Sequence, residues 1–209
     1  MSSIITLKKF LCDKYPNLKD IIISFEKCSK DDNTGQYLVS SQVLTINFDK
    51  LTEWMERGEG IKSADSMSCT ENRIYLIEFK SGDPTTATRK FQKLTDNVIG
   101  KINDSDDTLH EIYTGAGIED IDQVFCLVID SKKIGINPLI NALVERSLIN
   151  NNNIYQKQML AQLQPNLKAG VHNPNHYSKI EIWYSEIFDT YLQASEHFPM
   201  FQIQMTYKS

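Results

Sequence analysis

Apolar residues along the chain follow two rhythms. Leu7, Phe10 and Leu11 recur at helical spacing and predict a short first helix, stopped near Tyr15-Pro16 because proline disfavours helical geometry in its predecessor. Leu18, Ile21, Ile22 and Phe25 repeat that spacing and predict a second helix to about Cys28. After a polar turn at 29–35, Tyr37, Val39 and the run 43–48 alternate or stay β-branched, which predicts extended structure. Asp49 is placed to cap a short helix carrying Leu51, Trp54 and Met55 and ending at Gly58. Residues 62–70 read as a short strand and Glu71-Asn72 as a turn. RIYLIEFK, residues 73–80, is a strongly apolar strand ended by Gly82-Asp83-Pro84.

Downstream, Phe91, Leu94, Val98 and Ile102 share one face of a helix predicted over 88–102. A loop to Gln123 and a buried strand over 123–130 follow. Pro138, behind Asn137, suits the first position of another helix through Leu148. The asparagine run 150–153 reads as a loop, 155–163 as a helix and 179–184 as a strand, with an aromatic-rich tail. The succession of helix, strand, strand, helix and strand predicts an α/β fold with a mixed central β-sheet flanked by helices. No repeat is visible, and 209 residues suit one domain.

Composition narrows the class. With 41% hydrophobic and 23% charged residues, the chain is neither disordered nor fibrous. No apolar run approaches the roughly 18 residues that cross a bilayer, and the first ten residues lack a secretory pattern. Cys12, Cys28, Cys69 and Cys126 form no CxxC pair, so neither a zinc site nor a disulfide framework is expected. These features predict a soluble cytoplasmic protein without a membrane partner. The net charge of −5 argues against a generic polyanion binder, but the charge is uneven. Seven acids and no Lys or Arg lie in residues 102–123, and the rest of the chain sums to +2. Arg89, Lys90, Lys93 and Lys101 come just before. An acidic loop beside a basic helix could shield it, or dock a protein partner or second copy.

The chemistry concentrates at Ser63-Ala64-Asp65 and Glu78-Phe79-Lys80. Residues two apart on a strand share a face, so Glu78 and Lys80 project together and Phe79 points away. The turn at 71–72 returns Asp65 to the side of Glu78. Two adjacent carboxylates offer hard oxygen ligands to Mg²⁺ or Mn²⁺. A lysine beside them can orient water and offset charge developing on a phosphate.

An acid on one strand, followed on the next by acid, any residue and lysine, resembles the motif of the PD-(D/E)XK nuclease superfamily, the restriction-endonuclease-like fold. The resemblance covers about residues 50–130, with additions at both ends. It implies a divalent-metal-dependent phosphodiester hydrolase, acting on DNA rather than RNA, with Asp65, Glu78 and Lys80 catalytic. Asp65, Glu78 and the Phe79 carbonyl would hold the metal. Glu53 and Glu56 are candidates for a further ligand from the preceding helix. Arg89, Lys90 and Lys93 would grip the phosphate backbone. A catalytically silent member that binds nucleic acid or protein is the competing class.

Two alternatives stay open. Glu78 and Lys80 could be a solvated pair on an edge strand, worth at most about 1 kcal/mol. Asp130-Ser131-Lys132 forms a second acid-x-lysine triplet, with Asp120 or Asp122 upstream. Other chemistry is weaker. Pro174 between His172 and His176 precludes an ordinary helix, and the sequence puts no carboxylate beside them. Gly115-Ala116-Gly117 lacks the context of a phosphate loop, and Trp54, Trp183 and Tyr184 read as core or interface residues.

Overall fold

A computed structural model describes residues 3–56, 60–70, 72–81, 88–130 and 151–194. It is an α/β fold built on a six-stranded mixed sheet in the order β1-β2-β3-β4-β5-β6. The strands are β1 (Ile22–Ser24), β2 (Leu44–Asn47), β3 (Ser66–Cys69), β4 (Arg73–Lys80), β5 (Asp122–Ile129) and β6 (Tyr177–Tyr184). The first four form an antiparallel meander, and β5 and β6 add in parallel to β4. Helices α1 (Ser3–Lys14), α4 (Thr88–Ala116) and α5 (Asn151–Gly170) share a core with Leu76, Phe125 and Ile180 on one sheet face. The short α2 (Phe25–Cys28) and α6 (Ser185–Ala194) pack with Ile77, Phe79 and Val128 on the other. Helix α3 (Phe48–Trp54) links β2 to the segment before β3. Among the described residues no helix is long and apolar enough to cross a membrane. All four cysteines are free thiols.

Several sequence expectations need correction. The predicted second helix is a 3-10 turn at Leu18–Ile21, then β1, then α2. Ile21, Ile22 and Ile23 are β-branched in succession, and Ile22 and Ile23 pair with Ile46 and Thr45, so sheet pairing overrides the helical spacing. Asn47, not Asp49, caps α3, by accepting from the Lys50 amide at 3.0 Å. Asn151, Asn152 and Asn153 open α5 rather than forming a loop, as suits a residue favoured at helix N-termini. The helix predicted from Pro138 lies outside the described residues.

The largest correction concerns the acidic loop at 102–123. Most of it is helix: α4 continues to Ala116, and a short turn with Gly117 at φ +64° leads into β5. The buried positions Phe91, Thr95, Val98, Ile102, Ser105, Leu109 and Ile112 keep one helical face throughout. Polar residues on that face have partners. Ser105 Oγ accepts from the Ala64 amide at 2.9 Å, and Asp104 Oδ2 accepts from the Lys62 amide at 2.8 Å. Asp106 accepts from Gln123 Nε2 at 3.3 Å and Asn173 Nδ2 at 3.0 Å, and lies 3.0 Å from His176 Nδ1. These acids tie the helix to its neighbours. His176, which the sequence leaves without a carboxylate, lies beside Asp106 and, at 3.7 Å, Asp120.

Candidate active site

The site forms where β3 begins, β4 ends and α4 crosses above them. Ser66 pairs with Ile77, so Asp65 lies across from Glu78. Strand alternation turns Ile74, Leu76 and Glu78 to the α4 face, and Ile77 and Phe79 to the other. Phe79 is held there by edge-on contacts with Phe25 (6.5 Å) and Phe188 (6.1 Å), which fix the orientation of its neighbours. Its amide donates to Asp65 Oδ2 at 2.6 Å, joining the two halves of the motif directly.

Glu78 is fully buried on a central strand, so the edge-strand alternative does not hold. Burial pushes its carboxyl up to about 8 and Asp65 adds to the rise, while Lys101 and Lys80 oppose it. Lys80 Nζ lies 2.6 Å from Glu78 Oε1, yet that oxygen accepts no hydrogen bond: the contact is an ion pair without hydrogen-bond geometry. Lys80 keeps about a quarter of its side chain exposed, so its ammonium faces both the carboxylate and solvent.

Sequence reasoning missed Lys101 as a site residue. From α4, its ammonium donates to Asp65 Oδ1 at 3.0 Å and Glu78 Oε2 at 2.8 Å, bridging the two carboxylates. Burial pulls its pKa down, but Glu78 and Asp65 outweigh burial and the net shift is upward. Its position directly before the buried Ile102 is the one signal that it leans toward the sheet.

The acid supplied by α3 also differs from expectation. Glu53 is exposed and paired with Lys50 at 2.7 Å, and Glu56, at φ 51°, ends the helix. Asp49 is the α3 acid near the site: its carboxylate accepts from Ser63 Oγ. Burial raises its pKa, with Lys101 opposing and Asp65 adding to the rise. A cleft of about 100 Å³, lined by Cys28, Lys30, Asp31, Asp65, Phe79 and Ser81, opens beside Asp65.

The remaining predicted residues lie apart. Arg89, Lys90 and Lys93 are exposed on the first turns of α4. Asp122 pairs with Arg73 at 2.6 Å, and Asp120 with His110 at 3.3 Å, at the start of β5. Asp130 follows the far end of that strand, about 26 Å away at 3.3 Å per residue. That separation removes Asp120 and Asp122 as upstream acids for the second triplet, whose Ser131 and Lys132 lie outside the described residues.

Among the described residues no three His, Cys, Asp or Glu side chains come together as a metal-binding group. Two carboxylates are nevertheless enough for Mg²⁺, which is commonly held by one or two acids together with water and substrate phosphate. Two observations fit such an ion. Asp65 and Glu78 already share one cation, the Lys101 ammonium, and each oxygen of Glu78 faces an ammonium, Lys101 at 2.8 Å and Lys80 at 2.6 Å. No protein-family model, curated protein or solved structure matches the chain.

Proposed function

We propose that the chain is a divalent-metal-dependent nuclease that hydrolyses phosphodiester bonds, in DNA rather than RNA. The observation that carries the reading is the meeting of Asp65, fully buried Glu78 and Lys80 at one point of a central strand pair. A helix, α4, and a parallel strand, β5, follow that point within the stretch of about residues 50–130 that the PD-(D/E)XK resemblance covers. Asp65 and Glu78 would hold Mg²⁺ or Mn²⁺; bound there, the ion supplies Lewis acidity toward a phosphate oxygen and a more acidic water. Lys80 orients the attacking water and offsets negative charge developing on the phosphate. Lys90 and Lys93, exposed on α4, hold flanking phosphates.

One observation favours a second reading, a catalytically silent binding subunit. The Lys101 ammonium bridges both carboxylates, and Lys80 pairs with the other oxygen of Glu78, so the acids already have cationic partners. Incubation with plasmid, single-stranded DNA and RNA, with and without Mg²⁺ or Mn²⁺, separates the two. Metal-dependent cleavage that is lost in Asp65→Asn supports the nuclease. No cleavage, together with no thermal upshift on adding metal, supports the silent subunit.

A further inference from the structure

The ammonium of Lys101 occupies the carboxylate oxygens that a metal would need. It lies 3.0 Å from Asp65 Oδ1 and 2.8 Å from Glu78 Oε2, and only about 15% of its side chain is exposed. With Lys80 on the other oxygen of Glu78, two acids face two lysines, and Asp49 adds its carboxylate within reach of Lys101. A divalent ion added beside both lysines would leave uncompensated positive charge in a largely buried site. An ion at the same oxygens would also press against the Lys101 ammonium, where like-charge repulsion is steep.

Two features offer Lys101 somewhere else to go. Residues 90, 93, 97 and 101 follow one stripe of α4, at spacings of three and four. Lys90 and Lys93 mark its exposed end, and Lys101 its end at the carboxylates. Between them, one turn before Lys101, Asn97 Oδ1 is buried and accepts no hydrogen bond. Buried acceptors of that kind are costly to leave bare, so the stripe holds a vacant partner for a displaced ammonium.

We propose that Lys101 is an internal stand-in for the divalent ion. It bridges Asp65 and Glu78 in the metal-free protein and leaves them when metal binds. Its ammonium then turns along α4 toward Asn97 and the phosphate backbone of the substrate. This rests on the reading of Asp65 and Glu78 as metal ligands. Metal and Lys101 therefore exclude one another, and a bound phosphodiester, by drawing Lys101 away, favours metal loading.

Mn²⁺ binding, followed by loss of the free-ion electron paramagnetic resonance signal, tests this without reference to cleavage. The proteins compared are wild type, Lys101→Met, Lys101→Gln and the double variant Asp65→Asn/Lys101→Met, each first checked for folding by circular dichroism. Gln keeps a hydrogen-bond donor for the carboxylates, so one variant stays informative should Met fail to fold. Removing the ammonium should tighten Mn²⁺ binding by about tenfold or more, and the double variant should lose the gain. In the wild type, Mn²⁺ should also raise acylation of Lys101 in lysine-labelling mass spectrometry. Asp65-dependent binding with equal affinity in wild type and both Lys101 variants would overturn the stand-in role and leave the metal site intact. Absence of any Asp65-dependent binding would overturn both.

Discussion

Ser105 Oγ, in the middle of α4, accepts a hydrogen bond from the amide of Ala64 at 2.9 Å, one residue before Asp65 and 41 positions earlier in the chain. Both residues are fully buried, so this bond sets where the first acid of the site enters the sheet. The adjacent Asp104–Lys62 contact reinforces it. An acidic stretch that invites reading as a surface loop is instead the clamp on the candidate active site.

Ser105→Ala should therefore destabilise the fold by about 1–3 kcal/mol, the cost of a buried amide left without an acceptor. Equilibrium denaturation measures it. If Asp104, Asp106 and Asp107 merely shielded a basic surface, their removal would strengthen nucleic-acid binding and leave stability alone; Asp104→Asn should instead lower stability.

Asp106 carries a second clamp. It is nearly fully buried and serves Gln123, Asn173 and His176 together. Asp106→Ala should cost about 3 kcal/mol, and His176→Ala less, because two of the three donors keep their acceptor. The double variant should be less destabilised than the sum, as expected for residues sharing one network. Strict additivity would show that the network does not exist.

The catalytic reading predicts a pattern among four variants. Asp65→Asn, Glu78→Gln and Lys80→Ala should each lower cleavage by about a hundredfold or more, while Asp130→Asn should change little. Only the first two should weaken metal binding, since lysine repels the cation. Cleavage surviving Glu78→Gln would remove Glu78 from the mechanism.

Lys90 and Lys93 are exposed, so Lys90→Gln/Lys93→Gln should leave stability within about 0.5 kcal/mol of wild type. Binding to a DNA duplex should weaken for all sequences alike, and its log–log salt slope should flatten by about 2. An unchanged slope would place the phosphate contacts elsewhere.

Thiol chemistry checks the packing. Thiolate is the reactive form, so labelling climbs as pH approaches the thiol pKa. Burial pushes Cys69 up to about 12, and burial then Glu181 pushes Cys126 up as well. Cys12 is exposed, and its rise, from partial burial and then Asp13, is smaller. Iodoacetamide at about pH 8 should label Cys12 in the native protein and reach Cys69 and Cys126 only after denaturation. Labelling of Cys69 as fast as Cys12 in the native state would contradict the core described here.

The sequence alone determined the α/β class, the strand Arg73–Lys80 and the two-faced placement of Glu78, Phe79 and Lys80. These follow from local periodicity: a strand alternates its side chains whatever surrounds it. Tertiary structure decided the rest. Ile22 and Ile23 left a helical pattern because β2 offered them a partner. Ser105 and Asp106 stayed in a helix because Ala64, His176, Asn173 and Gln123, distant in the chain, satisfy polar groups that would otherwise end it. Lys101 joined the site for the same kind of reason. Its charge is legible in one dimension, but the two carboxylates that bind it meet only once β3, β4 and α4 have packed.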